Sequence, residues 1–92
     1  MIRTFRDKGL RRFFEANDPR KLSVQKPDRV ARILSALDAA ERPEDMNIPG
    51  YRFHALAGKL KGRFSVTVSG NWRITFGWDG QDAIELDLED YH

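Results

Sequence analysis

The chain has 92 residues, 40% of them apolar and 33% charged, with 16 Lys/Arg against 14 Asp/Glu and no cysteine. That length supports one modest core and excludes a second, and without cysteine there is neither a disulfide frame nor thiolate chemistry. No apolar run approaches the roughly 20 residues of a membrane helix, and the opening MIRTFRDKGL lacks the apolar centre of a signal peptide, so a single cytoplasmic domain over residues 1–92 is expected.

In chain order, Ile2 to Phe5 is partly alternating and predicts a first strand. Asp7 is placed to cap a helix whose apolar positions are Leu10, Phe13 and Phe14, with Lys8, Arg11 and Arg12 on the other face. Gly9 weakens its first turn, and Asn17-Asp18-Pro19 ends it. Residues 20–26 form a polar, basic connection. Pro27 suits a first helical position, Asp28 suits the positive end of the dipole, and Val30, Ile33, Leu34 and Leu37 form an apolar stripe running to Ala40. Residues 41–50 contain two prolines and a glycine and predict a loop with one short turn.

Residues 51–56, YRFHAL, read as extended or irregular and carry His54. The sequence AGKLKG that follows is a glycine-bounded basic loop with Lys59 and Lys61. From Arg63 onward three runs alternate with period two. Phe64, Val66 and Val68 face one way and Arg63, Ser65, Thr67 and Ser69 the other. Trp72, Ile74, Phe76 and Trp78 form the second inward set, opposed by Arg73, Thr75 and Gly77. Asp79-Gly80 is a strong hairpin signal, and the third run places Ile84, Leu86 and Leu88 inside with Glu85, Asp87 and Glu89 outside. The expected architecture is α+β: an N-terminal strand and a two-helix hairpin packed on an antiparallel sheet, in β-α-α-β-β-β order.

Charge is segregated along this plan. Residues 1–32 carry ten Lys/Arg against four acids, residues 51–73 carry five basic residues and no acid, and residues 79–92 carry six acids and no Lys or Arg. Such a distribution suits a phosphate-bearing partner, and equally a set of solvated, salt-bridged faces.

Two histidines with 37 residues between them and no cysteine do not make a metal-ligand spacing, and neither a P-loop nor a dinucleotide fingerprint is present, so no metal or cofactor is expected. What remains is acid–base chemistry. Cleaving an RNA phosphodiester needs one group to remove the 2′-hydroxyl proton, another to protonate the leaving 5′-oxygen, and cations to hold the charge on phosphorus oxygens. His54 and His92 suit the first two tasks in either order, with Asp90 orienting and Tyr91 stacking or donating. Arg73, Arg63 and the loop lysines Lys59 and Lys61 suit the phosphate. Each has an ordinary alternative: a structural histidine, an acidic edge strand, an Arg73 paired across its hairpin.

The opening IRTFRDKGLRRFFE, the segment YRFHALAGKLKGRFSVTVSGNWRITF and the ending LEDYH together resemble the HigB toxins of the RelE superfamily. The resemblance spans nearly the whole chain. It implies a metal-independent, ribosome-dependent endoribonuclease that cuts mRNA in the ribosomal A site and meets 16S rRNA there, inhibiting translation. It also implies a cognate helix-turn-helix antitoxin, HigA-like, that neutralises the toxin and represses the operon. Carried over by position, the active-site residues fall on His54, Arg73, Asp90, Tyr91 and His92. Where relatives place a lysine shortly after the histidine, this chain has Ala57, with its lysines at Lys59 and Lys61. A competing reading is a non-catalytic module that binds nucleic acid and antitoxin in operon autoregulation.

Overall fold

The computed structural model describes residues 1–90. Two helices, α1 (Lys8–Ala16) and α2 (Pro27–Ala39), precede four antiparallel strands: β1 (His54–Ala55), β2 (Arg63–Ser69), β3 (Trp72–Asp79) and β4 (Asp82–Asp90), hydrogen-bonded in that order. The helices begin where the sequence predicts. The Asp7 carboxylate accepts from the Leu10 amide at 2.8 Å, and Pro27 opens α2. Helix α1 ends at Asn17 in the left-handed conformation, with φ 53°.

Gly9 has a tertiary cause rather than a helical one. A Cβ there would lie 2.2 Å from the Lys21 carbonyl oxygen, so glycine lets α1 press against the short 3-10 turn Pro19–Lys21.

The core lies between the helices and one face of the sheet. Leu10, Phe13, Val30, Ile33, Leu34 and Leu37 meet Val66, Val68, Ile74, Phe76, Leu86 and Leu88, all buried. Two features of the plan differ from expectation. The N-terminal strand is reduced to two isolated parallel bridges, Ile2 to Ala83 and Phe5 to Leu86, along the outer edge of β4. In its place the sheet gains β1, paired through His54 with Ser65 and Ala55 with Phe64.

The second difference is a bulge in β4. Thr75 pairs with Asp87 but Gly77 pairs with Ile84, so β4 carries one residue more than β3 here, and Glu85 adopts φ 52°. The bulge reverses the alternation before it. Ala83 rather than Ile84 enters the core, and Ile84 moves to the polar face over Gly77, where a Cβ would sit 3.3 Å from its Cγ1. The Glu85 amide is satisfied by the Thr4 hydroxyl at 2.8 Å, and that exchange interrupts a regular N-terminal ladder.

The polar face is correspondingly less open than simple alternation implies: Arg63, Ser65 and Thr75 are all buried. Phe14, expected in the core, is exposed and rests against Phe5 at 5.7 Å between ring centroids.

Candidate active site

On the polar face, the ladder aligns His54 with Ser65 and Thr75, and Thr67 with Arg73 in the next row. Side chains directly opposite in a sheet share a face. These two rows floor a cleft of about 400 Å³ whose basic lining is Arg52, His54 and Arg73, with Ser65, Thr67 and Asn71 polar and Leu56 and Trp72 apolar. No carboxylate is among the lining residues described. Two candidates far apart in sequence, His54 and Arg73, therefore meet in one cleft.

The imidazole of His54 is held by a local contact. Its Nδ1 lies 2.8 Å from the carbonyl oxygen of Arg52, and a carbonyl only accepts, so in the neutral ring Nδ1 carries the proton and Nε2 keeps its lone pair. The carbonyl points there because Arg52 takes left-handed φ 50°, a conformation an arginine adopts at some cost. Arg52 was not singled out in the sequence; a residue of this type in the left-handed region leaves no local sign.

Asp90 pairs with Trp72 at the end of β4, one register step beyond the pairing of Arg73 with Glu89, which brings the strand's end beside the cleft. Tyr91 and His92, the other two expected members, lie outside the described residues. Lys59 and Lys61 are exposed on and just after the 3-10 turn Gly58–Leu60 between β1 and β2, and do not line the cleft.

Arg63 departs from the expectation of a phosphate-binding side chain. Its guanidinium is buried and donates to the Thr75 hydroxyl at 3.0 Å and to the Glu85 carbonyl at 2.8 Å, while Thr75 donates to Glu89 at 2.5 Å. Burial above all, and then the nearby charge of Arg6, push its pKa below the usual arginine value; the carboxylates of Glu89, Glu85 and Asp87 act against this. The bulge that offers the Glu85 carbonyl is what draws Arg63 inward.

Among the described residues no three histidine or carboxylate side chains gather as a metal site, and no helix is long and apolar enough to cross a membrane. The segregated charge is partly spent within the molecule. Arg3 pairs with Asp79 and, at 3.5 Å, with Asp82; Arg6 reaches Glu85 at 3.4 Å; Arg12 and Arg20 share Asp18 at 2.7 and 2.9 Å.

A pair of helices on a four-stranded antiparallel sheet, with this basic cleft on the far face, defines an α+β domain of the RelE-like type. Residues 3–92 match the model of the HigB-like toxins, described as RelE-like toxin of type II toxin-antitoxin system HigB, and the chain belongs to that family. It is 40% identical over 92 residues to a protein of Proteus vulgaris named Endoribonuclease HigB, covering 100% of both chains. Toxin HigB-1 of Vibrio cholerae serotype O1 is 38% identical over 91 residues, with 97% of this chain and 96% of that one covered.

Proposed function

We propose that this toxin is an endoribonuclease acting on mRNA in the ribosomal A site, in the cytoplasm, by acid–base catalysis without a metal ion. The observation that carries the reading is the convergence of His54 and Arg73 in a cleft lined by basic and neutral side chains. A relative of equal length named as an endoribonuclease supports it.

In this reading His54 acts through Nε2 as the base, since Nδ1 is occupied by the Arg52 carbonyl. It removes the proton of the 2′-hydroxyl as that oxygen bonds to phosphorus. The bond from phosphorus to the 5′-oxygen breaks, and His92 supplies the proton that oxygen needs. The products are a 2′,3′-cyclic phosphate and a 5′-hydroxyl. Arg73, with Arg52 beside it, binds the phosphate oxygens, whose charge grows in the transition state. Asp90 orients the acid, and Tyr91 stacks on a base. Lys59 and Lys61 favour the approach of RNA from the rim; Arg63 serves the fold. The ribosome and its 16S rRNA supply the orientation of substrate that so small a domain does not build alone. A HigA-like helix-turn-helix antitoxin is the expected partner.

Primer extension on a reporter mRNA in a reconstituted translation reaction tests this. Wild type is expected to give discrete, ribosome-dependent cuts that the His54→Ala/His92→Ala double variant does not. A folded wild type that cuts nothing would leave a non-catalytic binding module.

A further inference from the structure

The base of the proposed reaction sits on the weakest strand of the sheet. β1 has two residues and pairs on one side only, with β2. So short an edge strand does not by itself hold a side chain to the fraction of an ångström that proton transfer requires. Something upstream must steady it.

That support comes from α2. Arg29 projects from its first turn, and one nitrogen, Nη2, donates to the Gly50 carbonyl at 2.8 Å and to the Thr67 carbonyl at 3.0 Å. The guanidinium carbon also lies 5.1 Å from the centre of the Tyr51 ring, within cation–π range. The Thr67 amide in turn donates to the Tyr51 carbonyl at 2.7 Å. A single guanidinium thus joins a helix, the segment entering β1, and the strand whose Thr67 lines the cleft.

The next residue after Tyr51 is Arg52, whose left-handed backbone aims its carbonyl at His54 Nδ1. Arg29 is half-buried, and its Nε is buried without a hydrogen-bond partner among the described residues, a desolvation cost that an ordinary helix-surface position does not carry.

From these contacts we infer that Arg29 is a positioning residue for His54. By clamping Gly50 and Tyr51 it fixes the Arg52 carbonyl, and that carbonyl holds the imidazole in the Nδ1–H form with Nε2 free to accept a proton. The effect on cleavage rests on the proposed endoribonuclease reading; the effect on the ring does not.

The test uses the full chain labelled with 15N-histidine, with His92→Gln in the background so that one imidazole remains. Proton–nitrogen correlation spectra are recorded well above the imidazole titration range. With Arg29 present, His54 is expected in the Nδ1–H form. Arg29→Met keeps the aliphatic stem, and its ring is expected to revert to the Nε2–H form that free imidazole prefers. Arg29→Lys, which restores a cation able to reach carbonyl oxygens, is expected to return it towards the wild-type form.

In the otherwise wild-type chain, Arg29→Met is expected to lower the ribosome-bound cleavage rate about tenfold, with half-saturating toxin changed less than about twofold. A His54 ring that keeps its Nδ1 proton in folded Arg29→Met overturns the inference, whatever happens to thermal stability or cleavage. Should that variant not fold, Arg29→Gln, too short to reach both carbonyls, is read the same way. A wild type that cuts no RNA would refute the enzyme reading, and the spectra would still decide the clamp.

Discussion

Among the hollows lined by described residues, one of about 810 Å³ lies beside α1 and one of about 400 Å³ on the polar face of the sheet, and arginines line both. In the larger, Arg11 is paired with Glu15 at 3.2 Å and Arg12 with Asp18 at 2.7 Å. In the smaller, the cations share the lining with an imidazole and neutral polar groups. Size and net charge would have chosen the first. The second differs in that its basic groups come from separate strands and a strained turn, which sequence neighbours cannot arrange.

The sharpest way to break this contrast is to remove cations from each side. Arg73→Ala is expected to reduce ribosome-dependent cleavage about a hundredfold or more, the usual cost of losing a group that holds transition-state charge. Arg11→Ala/Arg12→Ala should leave the cleavage rate at saturating ribosomes within about twofold, because neither side chain lines the cleft that holds His54 and Arg73. Single-turnover cleavage of one mRNA by both variants measures the difference, and equal losses would erase it.

A smaller effect is expected on the α1 side, and in stability rather than activity. Gly9→Ala puts a methyl 2.2 Å from a backbone oxygen that has no flexible end to move. Overpacking of this kind costs about 1–3 kcal/mol, to be read by denaturant unfolding, while cleavage by the folded fraction stays unchanged.

The smallest effect is electrostatic. Hydrogen bonds from Arg20 first, then Arg12, hold the Asp18 carboxyl well below the usual carboxylate range. A depressed pKa in the folded state stabilises it above the unfolded value of about 3.9, and the contribution is lost as pH falls below that. Thermal midpoints of Asp18→Asn and wild type, compared from neutral to strongly acidic pH, should therefore converge on the acid side. A gap independent of pH would show that the pair is idle.

Much of the fold was legible because its signals are local and periodic. The stripe Val30, Ile33, Leu34 and Leu37 buries as the spacing predicts, and the Asp79-Gly80 turn separates β3 from β4 where expected. Ile84 changes face and Arg63, on its expected face, is buried, both for one reason. A single left-handed residue at Glu85 shifts the register, and nothing in the residue type announces it. β1 is too short to alternate, so its existence depends on the partner that Ser65 and Phe64 provide. Within the site, His54 and Arg73 stood out by chemistry. Arg52 and Arg29 did not, since their importance lies in where a backbone carbonyl points.

The pairing of the first residues with β4 also bears on how the protein is made. The Glu85 amide is bonded to the Thr4 hydroxyl across a separation of 81 residues, and Ile2 and Phe5 are bridged to the same strand. Contacts of such high order are slow to form, because closing the long intervening loop must precede any gain from them. During vectorial synthesis the apolar sides of Leu10 and Phe13 therefore wait, without the strand that completes their packing surface, until β4 has been translated. A chain interrupted before that point presents an incomplete sheet to chaperones and proteases. Completion of the sheet is thereby deferred to the late stage of translation.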